Sequence, residues 1–379
     1  MIHQLKDIKR ILVIKLRHIG DVLLATPVFR ALRENFPHAY IAALVNSGTE
    51  EVLIGNPFIN EILIFDRNIK KMNPAIKYFR ELSFLKQIRA KKFDMTIDLT
   101  SGDRAAIVSF ISGARYRIAY PPNRNSLIGK KFLYTHIAQK RNGQHIVLRN
   151  LEIIRQFGIN TKNEQLDFFI PESARIFVEK IFEENNIPPR PSLNKGEQRG
   201  IKIVHVHPTS RWLFKCWKDE YMAEVICWLI DNGAIVIITS SPEKYEMEKT
   251  GRILSLVASR ITHNAKRFID LCGKTTIKQL GAISKASDLF FGVDSAPMHI
   301  AAAVGTPVIA LFGGGVKSWR PWCEKYVVIF KEFIDRKGTN RKDYIKGNLL
   351  HIKPFDVIKE INNFLQKDTS IIKANLRSG

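Results

Sequence analysis

Ile11-Leu12-Val13-Ile14-Lys15-Leu16-Arg17-His18-Ile19-Gly20-Asp21-Val22-Leu23, with Thr26-Pro27 close behind, is the stretch on which the fold turns. Four consecutive aliphatic residues suit a strand buried on both faces, as in a parallel sheet. Gly20 marks a turn, and Thr26-Pro27 reads as the cap and first residue of a helix running to about Phe36. On that reading Asp21 lies in the turn or in an irregular first helical turn. Strand, turn and helix are half of a βαβ unit, and the alternation continues. Residues 40–45, 62–65 and 93–99 read as further strands, with a long amphipathic helix expected over 74–91. A Pro/Asn/Gly-rich polar stretch, Asn185-Asn186-Ile187-Pro188-Pro189-Arg190-Pro191-Ser192, then interrupts the pattern and reads as a linker. A second series follows, with strands at 201–207, 234–239, 288–293 and 307–312 and helical patterns at 219–231 and 277–286. The prediction is two doubly wound α/β domains, residues 1–185 and 201–352, joined by a linker at 186–200 and followed by a helix and tail at 353–379. Sheets of this kind bind ligands beyond the carboxyl ends of their strands, so a cleft between the domains is the expected site.

Composition narrows the function. The 379 residues are 45% hydrophobic and 25% charged, which is globular. No run approaches the roughly 18 apolar residues of a membrane span. Lys15, Arg17 and Asp21 interrupt the first apolar run, which therefore reads as a strand rather than a signal peptide. The four cysteines form no C-x-x-C pair, so neither a disulfide framework nor a zinc knuckle is expected, and a reducing cytoplasm fits. The net charge of +23 points to an anionic partner: nucleic acid, an acidic membrane or a phosphorylated substrate. Two windows, Arg67 to Lys92 and Gly102 to Arg149, each hold nine basic residues and one acid.

Several standard chemistries are absent from the sequence. There is no G-x-x-x-x-G-K-[ST] loop, no G-x-G-x-x-G after a strand, and no D-x-D pair for a metal–diphosphate complex. His205 and His207 share a strand face and could hold a metal, but a hydrogen-bonded strand histidine is the plainer reading. What remains are polar clusters just after strands. Asp21 follows the first and reads either as a helix cap or as a catalytic carboxylate. His207-Pro208-Thr209-Ser210-Arg211, with Lys215-Cys216-Trp217, supplies hydroxyls, backbone N–H groups and cations that suit a phosphate. Asp294-Ser295-Ala296-Pro297-Met298-His299 opens a small-residue helix whose free N–H groups can hold an anion. Ser241-Pro242-Glu243 and Gly273-Lys274-Thr275 are weaker sites of the same kind.

At these clusters the chain resembles the ADP-heptose:lipopolysaccharide heptosyltransferases, glycosyltransferase family 9. The resemblance rests on Ile11 to Leu23 with Thr26-Pro27, on Asn56-Pro57, on His207-Pro208 with Lys215-x-Trp217, and on Gly292-Val293-Asp294-Ser295-Ala296-Pro297-Met298-His299. It continues through Gly305-Thr306-Pro307 and Phe312-Gly313. Within the family, Thr209-Ser210-Arg211, Phe214-Lys215-Cys216-Trp217 and Trp319-Arg320-Pro321-Trp322 look most like the heptosyltransferase III branch, which adds a side-branch heptose to the inner core. The resemblance implies a GT-B architecture, two Rossmann-like domains facing across a cleft, with the acceptor on the amino-terminal domain and ADP-L-glycero-D-manno-heptose on the other. It implies Asp21 as general base in a single inverting displacement, with no metal and no other cofactor. Thr209, Ser210, Lys215, Glu243, Lys274, Thr275, Asp294, Ser295, Ala296, Pro297 and His299 would contact the donor. Arg17, His18, Gly20, Arg104 and Arg124 would contact the acceptor, the phosphorylated heptose–Kdo–lipid A core. The implied location is peripheral, on the anionic cytoplasmic face of the inner membrane. One departure is that Lys215 stands four positions after Arg211, rather than the three of the first heptosyltransferase.

Two alternatives stay open at this stage. One is another family 9 enzyme, of heptosyltransferase I or II type or using a different sugar. The other is a nucleic-acid-binding protein that uses the basic face, with Tyr78, Phe79, Phe84, Tyr116 and Tyr120 as stacking residues. No recognised nucleic-acid module accompanies that second reading, and it leaves the clusters after the later strands without a purpose.

Overall fold

The computed structural model describes residues 5–68, 73–121, 129–188, 202–261, 265–336 and 338–366. Two compact units divide the chain, Met1–Phe169 and Ile170–Gly379. In the first, the strands are β1 (Arg10–Lys15), β2 (Tyr40–Asn46), β3 (Glu61–Phe65), β4 (Met95–Asp98), β5 (Tyr116–Ala119) and β6 (His136–Ile137), paired in parallel in the order β3-β2-β1-β4-β5-β6. Ile11 to Ile14 lie at the centre, fully buried, because β1 is flanked by β2 on one edge and β4 on the other. That accounts for the unbroken aliphatic run.

In the second unit the strands are β7 (Ile203–His207), β8 (Ile235–Ile238), β9 (Phe268–Asp270), β10 (Leu289–Val293), β11 (Val308–Leu311) and β12 (Tyr326–Ile329). Their order, β12-β11-β10-β7-β8-β9, is the same winding. Each sheet reverses direction beside its first strand, between β1 and β4 and between β7 and β10. These are the switch points at which open α/β sheets place ligands. The doubly wound fold expected from the sequence is therefore present twice. Helices Arg341–His351 and Pro354–Gln366 pack Tyr344, Ile345, Leu349, Val357 and Ile361 into the second core.

Several elements depart from the sequence reading. Strands β5, β6, β9 and β12 were not singled out, being short and weakly patterned. Thr26 is the first helical residue rather than the cap, since a short helix, Ile19–Leu23, fills the preceding stretch and Ala25 takes the cap position. The Thr26 hydroxyl instead donates to Leu23 O at 2.8 Å and accepts from Asp167 N at 2.9 Å. Helix Glu172–Glu184, expected in the first domain, packs Ala174, Val178, Ile181 and Phe182 against Ile203, Ile235 and Ile283 of the second unit. Most of the expected linker, from residue 189 on, lies outside the described residues.

Helix Pro74–Ala90 starts where Asn73 caps it, its side chain accepting from Ala75 N at 3.0 Å. Only its second half packs, through Phe84, Leu85 and Ile88. Ile76, Tyr78, Phe79 and Leu82 in the first half are exposed. The helix is thus apolar on two faces instead of one, and so it is not the amphipathic helix expected. Residues 74–83 are exposed apart from the half-buried Lys77 and Glu81, so the amino-terminal half projects beyond the helix's core contacts. Among the described residues no helix is long and apolar enough to cross a membrane.

Candidate active site

Beyond β1, the switch point of the first unit is built on a buried cation. Lys15 closes the strand, and its Nζ donates to Leu99 O at 3.0 Å and to Asn150 Oδ1 at 3.3 Å. Burial lowers its pKa to about 8, while the carboxylate of Asp21 acts in the opposite direction. Asp21 itself is half-buried at the third position of helix Ile19–Leu23, and the cap position belongs to His18. Asp21 therefore does not hold the cap position, and the His18 side chain makes no cap hydrogen bond. Asp21 stands beyond the carboxyl end of β1, within electrostatic reach of Lys15.

Around it, Arg17 Nη2 donates to Thr100 O at 3.0 Å, and Asn46 Nδ2 donates to Arg17 O at 3.1 Å, which fixes the Arg17–His18 turn. The turn after β4 is organised by Asp98, which is fully buried. It accepts from Tyr134 Oη at 2.5 Å and from the backbone N–H groups of Thr100 and Ser101 at 2.7 and 3.0 Å. Burial pushes the Asp98 pKa up, and these hydrogen bonds hold it down. Lys130, also buried, donates to Ser101 O at 2.9 Å and Asp103 Oδ1 at 3.1 Å. The expected acceptor residues are not all gathered here. Arg104 pairs with Glu81 at 2.8 Å and stacks over Phe65 at 4.3 Å, and Arg124 lies outside the described residues.

In the second unit the switch point joins two clusters that the sequence identified. Lys215, in a tight turn at Leu213–Lys215, pairs with Asp294 Oδ2 at 2.6 Å, just after β10. Gly292 lets β10 lie close against β7: a Cβ there would stand 2.6 Å from His207 O. Ser295 precedes helix Ala296–Ala303, with Pro297 in its first turn and His299 one turn in. Ser295 Oγ and His299 Nδ1 are both buried with no hydrogen-bond partner, which is costly unless a ligand satisfies them. Burial, aided by the Lys215 charge, lowers the His299 pKa to about 3, so its ring is neutral at pH 7.

Thr209 and Ser210 are buried beside this pair, and the loop carrying them is pinned. Trp217 Nε1 donates to Ile352 O at 3.1 Å, and Lys249 Nζ donates to Trp217 O at 2.9 Å. Behind Thr209 runs a chain of hydroxyls and imidazoles. Ser284 Oγ lies 2.8 Å from His205 Nδ1, His205 Nε2 lies 2.8 Å from Thr239 Oγ1, and Thr239 Oγ1 lies 2.9 Å from His207 Nδ1. His207 Nε2 faces Thr209 Oγ1 at 3.5 Å. The strand histidines are thus bonded to hydroxyls, and burial holds both pKa values down, that of His207 to about 3. The chain ends on Glu246, which accepts from Thr209 and Ser241 and whose pKa burial raises.

Lys215, Asp294 and His299 meet here together with Ser295, Ala296 and Pro297, Thr209 and Ser210 follow the adjacent strand β7, and the remaining expected donor residues lie elsewhere. Glu243 is exposed at the start of helix Lys244–Ala258, and Glu246, one turn later, is the acid beside Thr209. Lys274 and Thr275 follow β9, two strands from β7, where Lys274 Nζ donates to Asp270 O at 3.0 Å. Lys15, Asp98, Lys130 and Glu246 were not singled out. Lys15 had a visible signal, a lysine that closes an aliphatic strand. Glu246 had none, since three acids crowd the stretch from 243 to 248. Among the described residues, no three His, Cys, Asp or Glu side chains group as metal ligands.

Comparison with known proteins gives consistent results. Residues 81–347 match the model for glycosyltransferase family 9 (heptosyltransferase). Lipopolysaccharide heptosyltransferase 3 of Escherichia coli is 32% identical over 93% of this chain and 97% of its own length. The crystal structure of a family 9 glycosyl transferase from Veillonella parvula superposes with a TM-score of 0.75 at 21% identity, covering 94% of this chain and 97% of that one. The Escherichia coli heptosyltransferase WaaC with ADP-2-deoxy-2-fluoro heptose gives 0.67 at 18% identity, covering 93% and 99%.

Proposed function

The chain belongs to glycosyltransferase family 9, the heptosyltransferases, and from that premise we propose that it moves L-glycero-D-manno-heptose from ADP-heptose to the phosphorylated inner core of lipopolysaccharide, as the side-branch heptose on heptose II. The observation that carries the reading is the meeting of Lys215 with Asp294 at one sheet edge, beside the unsatisfied Ser295 and His299. A diphosphate there would take the Lys215 charge, and the buried polar atoms would find a partner.

In this mechanism the acceptor hydroxyl attacks the anomeric carbon as the bond to the diphosphate oxygen breaks. Asp21 removes the hydroxyl proton, with the buried Lys15 within electrostatic reach of it. One displacement inverts the anomeric centre and needs no covalent intermediate. Lys215, Thr209, Ser210 and the first N–H groups of helix Ala296–Ala303 stabilise the departing ADP. The basic surplus of residues 67–92 and 102–149 suits the phosphates and Kdo carboxylates of the acceptor, and an anionic inner-membrane face on its cytoplasmic side.

The test is incubation with ADP-heptose and defined truncated cores, followed by mass spectrometry. One heptose gained on a diheptosyl acceptor is expected, whereas transfer to a Kdo-only acceptor would reassign the branch. Turnover is expected to survive excess EDTA, because protein cations and N–H groups carry the diphosphate charge. Loss with EDTA and rescue by Mg²⁺ would overturn this account of the donor site.

A further inference from the structure

We propose that the projecting half of helix Pro74–Ala90 is an interfacial element that seats in an anionic lipid bilayer. Ile76, Phe79 and Leu82 enter the acyl boundary while Arg80 and Lys86 meet headgroup phosphates. The inference rests on the proposed function only in choosing a membrane as partner.

The helix packs on its core through Phe84, Leu85 and Ile88. At 100° per residue, Ile76, Phe79 and Leu82 fall on the opposite side, at i, i+3 and i+6. They are 52%, 72% and 40% exposed, with Tyr78 beside them at 71%. A helix with core contacts on one face has no folding reason to carry a second apolar stripe, and a contiguous exposed patch of this kind marks an interaction site. Its occupant must also satisfy cations. Arg80 and Lys86 are exposed, Arg80 flanking the stripe and Lys86 extending it by one turn. Residues 67–92 carry nine bases against Glu81 alone, and Glu81 is already paired with Arg104. Aliphatic and aromatic side chains set among lysine and arginine on an exposed helix match the boundary between acyl chains and anionic headgroups.

Topology adds a location. A helix that follows a parallel strand begins at the carboxyl edge of its sheet, so the stripe lies toward the edge of the first sheet that also carries Asp21. A chain seated by this stripe presents that edge to an acceptor whose lipid stays in the bilayer.

The experiment uses the purified full chain, without substrates, and phosphatidylcholine vesicles with or without phosphatidylglycerol. Sedimentation should show binding to the phosphatidylglycerol vesicles and little to phosphatidylcholine alone. The double substitution Ile76→Ser and Phe79→Ser, which leaves the charge unaltered, should weaken binding by about tenfold or more at about 0.1 M salt. Lys86→Glu should also weaken it, but only at low salt, since about 1 M salt screens charges beyond about 3 Å. Hydrogen exchange over residues 74–83 should slow on the vesicles. Unaltered binding by the serine variant, or no added protection, would overturn the proposal. So would a wild-type dimer in solution that the serine variant abolishes, because the stripe would then be covered by a second copy. Turnover of a lipid-free core acceptor by the serine variant should equal wild type; its loss in a folded variant would place the stripe in the catalytic machinery instead. If the wild type transfers no heptose to any acceptor, the proposed function fails while the vesicle result still decides this one.

Discussion

The two sheets share one winding order but end their first strands differently. Lys15 closes β1 and His207 closes β7, both buried, both with pKa values lowered by desolvation. At about 8 the lysine remains charged at pH 7, whereas at about 3 the histidine is neutral. The first unit thus buries charge at its switch point, and it does so elsewhere as well: Asp98 is buried near Lys130, and Arg30 pairs with Asp167. At the matching place the second unit buries neutral imidazoles and hydroxyls and brings a cation, Lys215, from a loop, with the buried Glu246 and Lys249 set farther along. The same scaffold position therefore serves opposite electrostatic ends. A cation lies within electrostatic reach of Asp21, and a neutral polar chain runs behind Thr209.

This contrast predicts opposite behaviour in acid, the largest effect expected. The unfolded chain takes up protons on His205, His207 and His299 near pH 6.5, but the folded one does so only near pH 3 or at another value well below 6.5. Stability therefore falls as pH drops from about 6.5, by about 2 kcal/mol at pH 5 for each of His207 and His299, and His205 acts in the same direction. Glu246 and Asp98, with raised pKa values, gain from the same change. Hydrogen exchange at pH 7 and 5 should show β7 and β8 losing protection before β1 and β2. If β1 and β2 opened first, the contrast would be wrong.

Asp21→Asn tests the charged side. Turnover should fall about 10²–10⁴-fold, with donor affinity and melting temperature nearly unchanged. Wild-type turnover in a folded variant would remove the base role. Lys215→Ala tests the other side. Donor affinity, measured by calorimetry, should fall about 10–100-fold from the loss of charge-assisted bonds. A loss equal to that of the Asp294→Asn, Lys215→Ala double variant would show that the two residues act as one unit.

The smallest expected effect belongs to Lys15→Met. The lysine's burial penalty is present at pH 7 and is relieved as pH rises from about 8 toward its unfolded value near 10.5. The variant should therefore gain about 1 kcal/mol at pH 7, an advantage that shrinks by pH 10, because a buried ion is often replaceable by an apolar side chain. Denaturant unfolding at the two pH values would show it. A large loss at pH 7 would mean that the bonds to Leu99 and Asn150 outweigh desolvation.

Much of this was legible in the sequence where local pattern and function coincide. The run from Ile11 to Ile14 reads as a strand, and it lies at the centre of the first sheet, while Lys215 and Asp294, read as parts of two separate clusters, meet after β7 and β10. What the sequence concealed depends on packing across the chain. Asp98 and Tyr134 become partners only when β4 and the turn before β6 are adjacent. Glu246 rather than Glu243 faces Thr209 because helix Lys244–Ala258 turns one acid inward, and no local signal picks it from its neighbours. Arg104 reads as a free cation, yet it is taken by Glu81 and Phe65. The second apolar face of helix Pro74–Ala90 was hidden because its residues, in sequence, look like core.

The position of β1 also constrains how the chain is made. Ile11 pairs with Ile41 on one side and with Met95 on the other, so β1 is made before either neighbour and has both only once β4 exists. While the chain emerges, β2 and β3 can dock at once, but the other edge of a fully aliphatic strand waits for β4. A nascent edge of that kind is a site for wrong pairing. The first sheet cannot close around β1 until the long helix has left the ribosome, so its synthesis is most exposed to misassembly before residue 95.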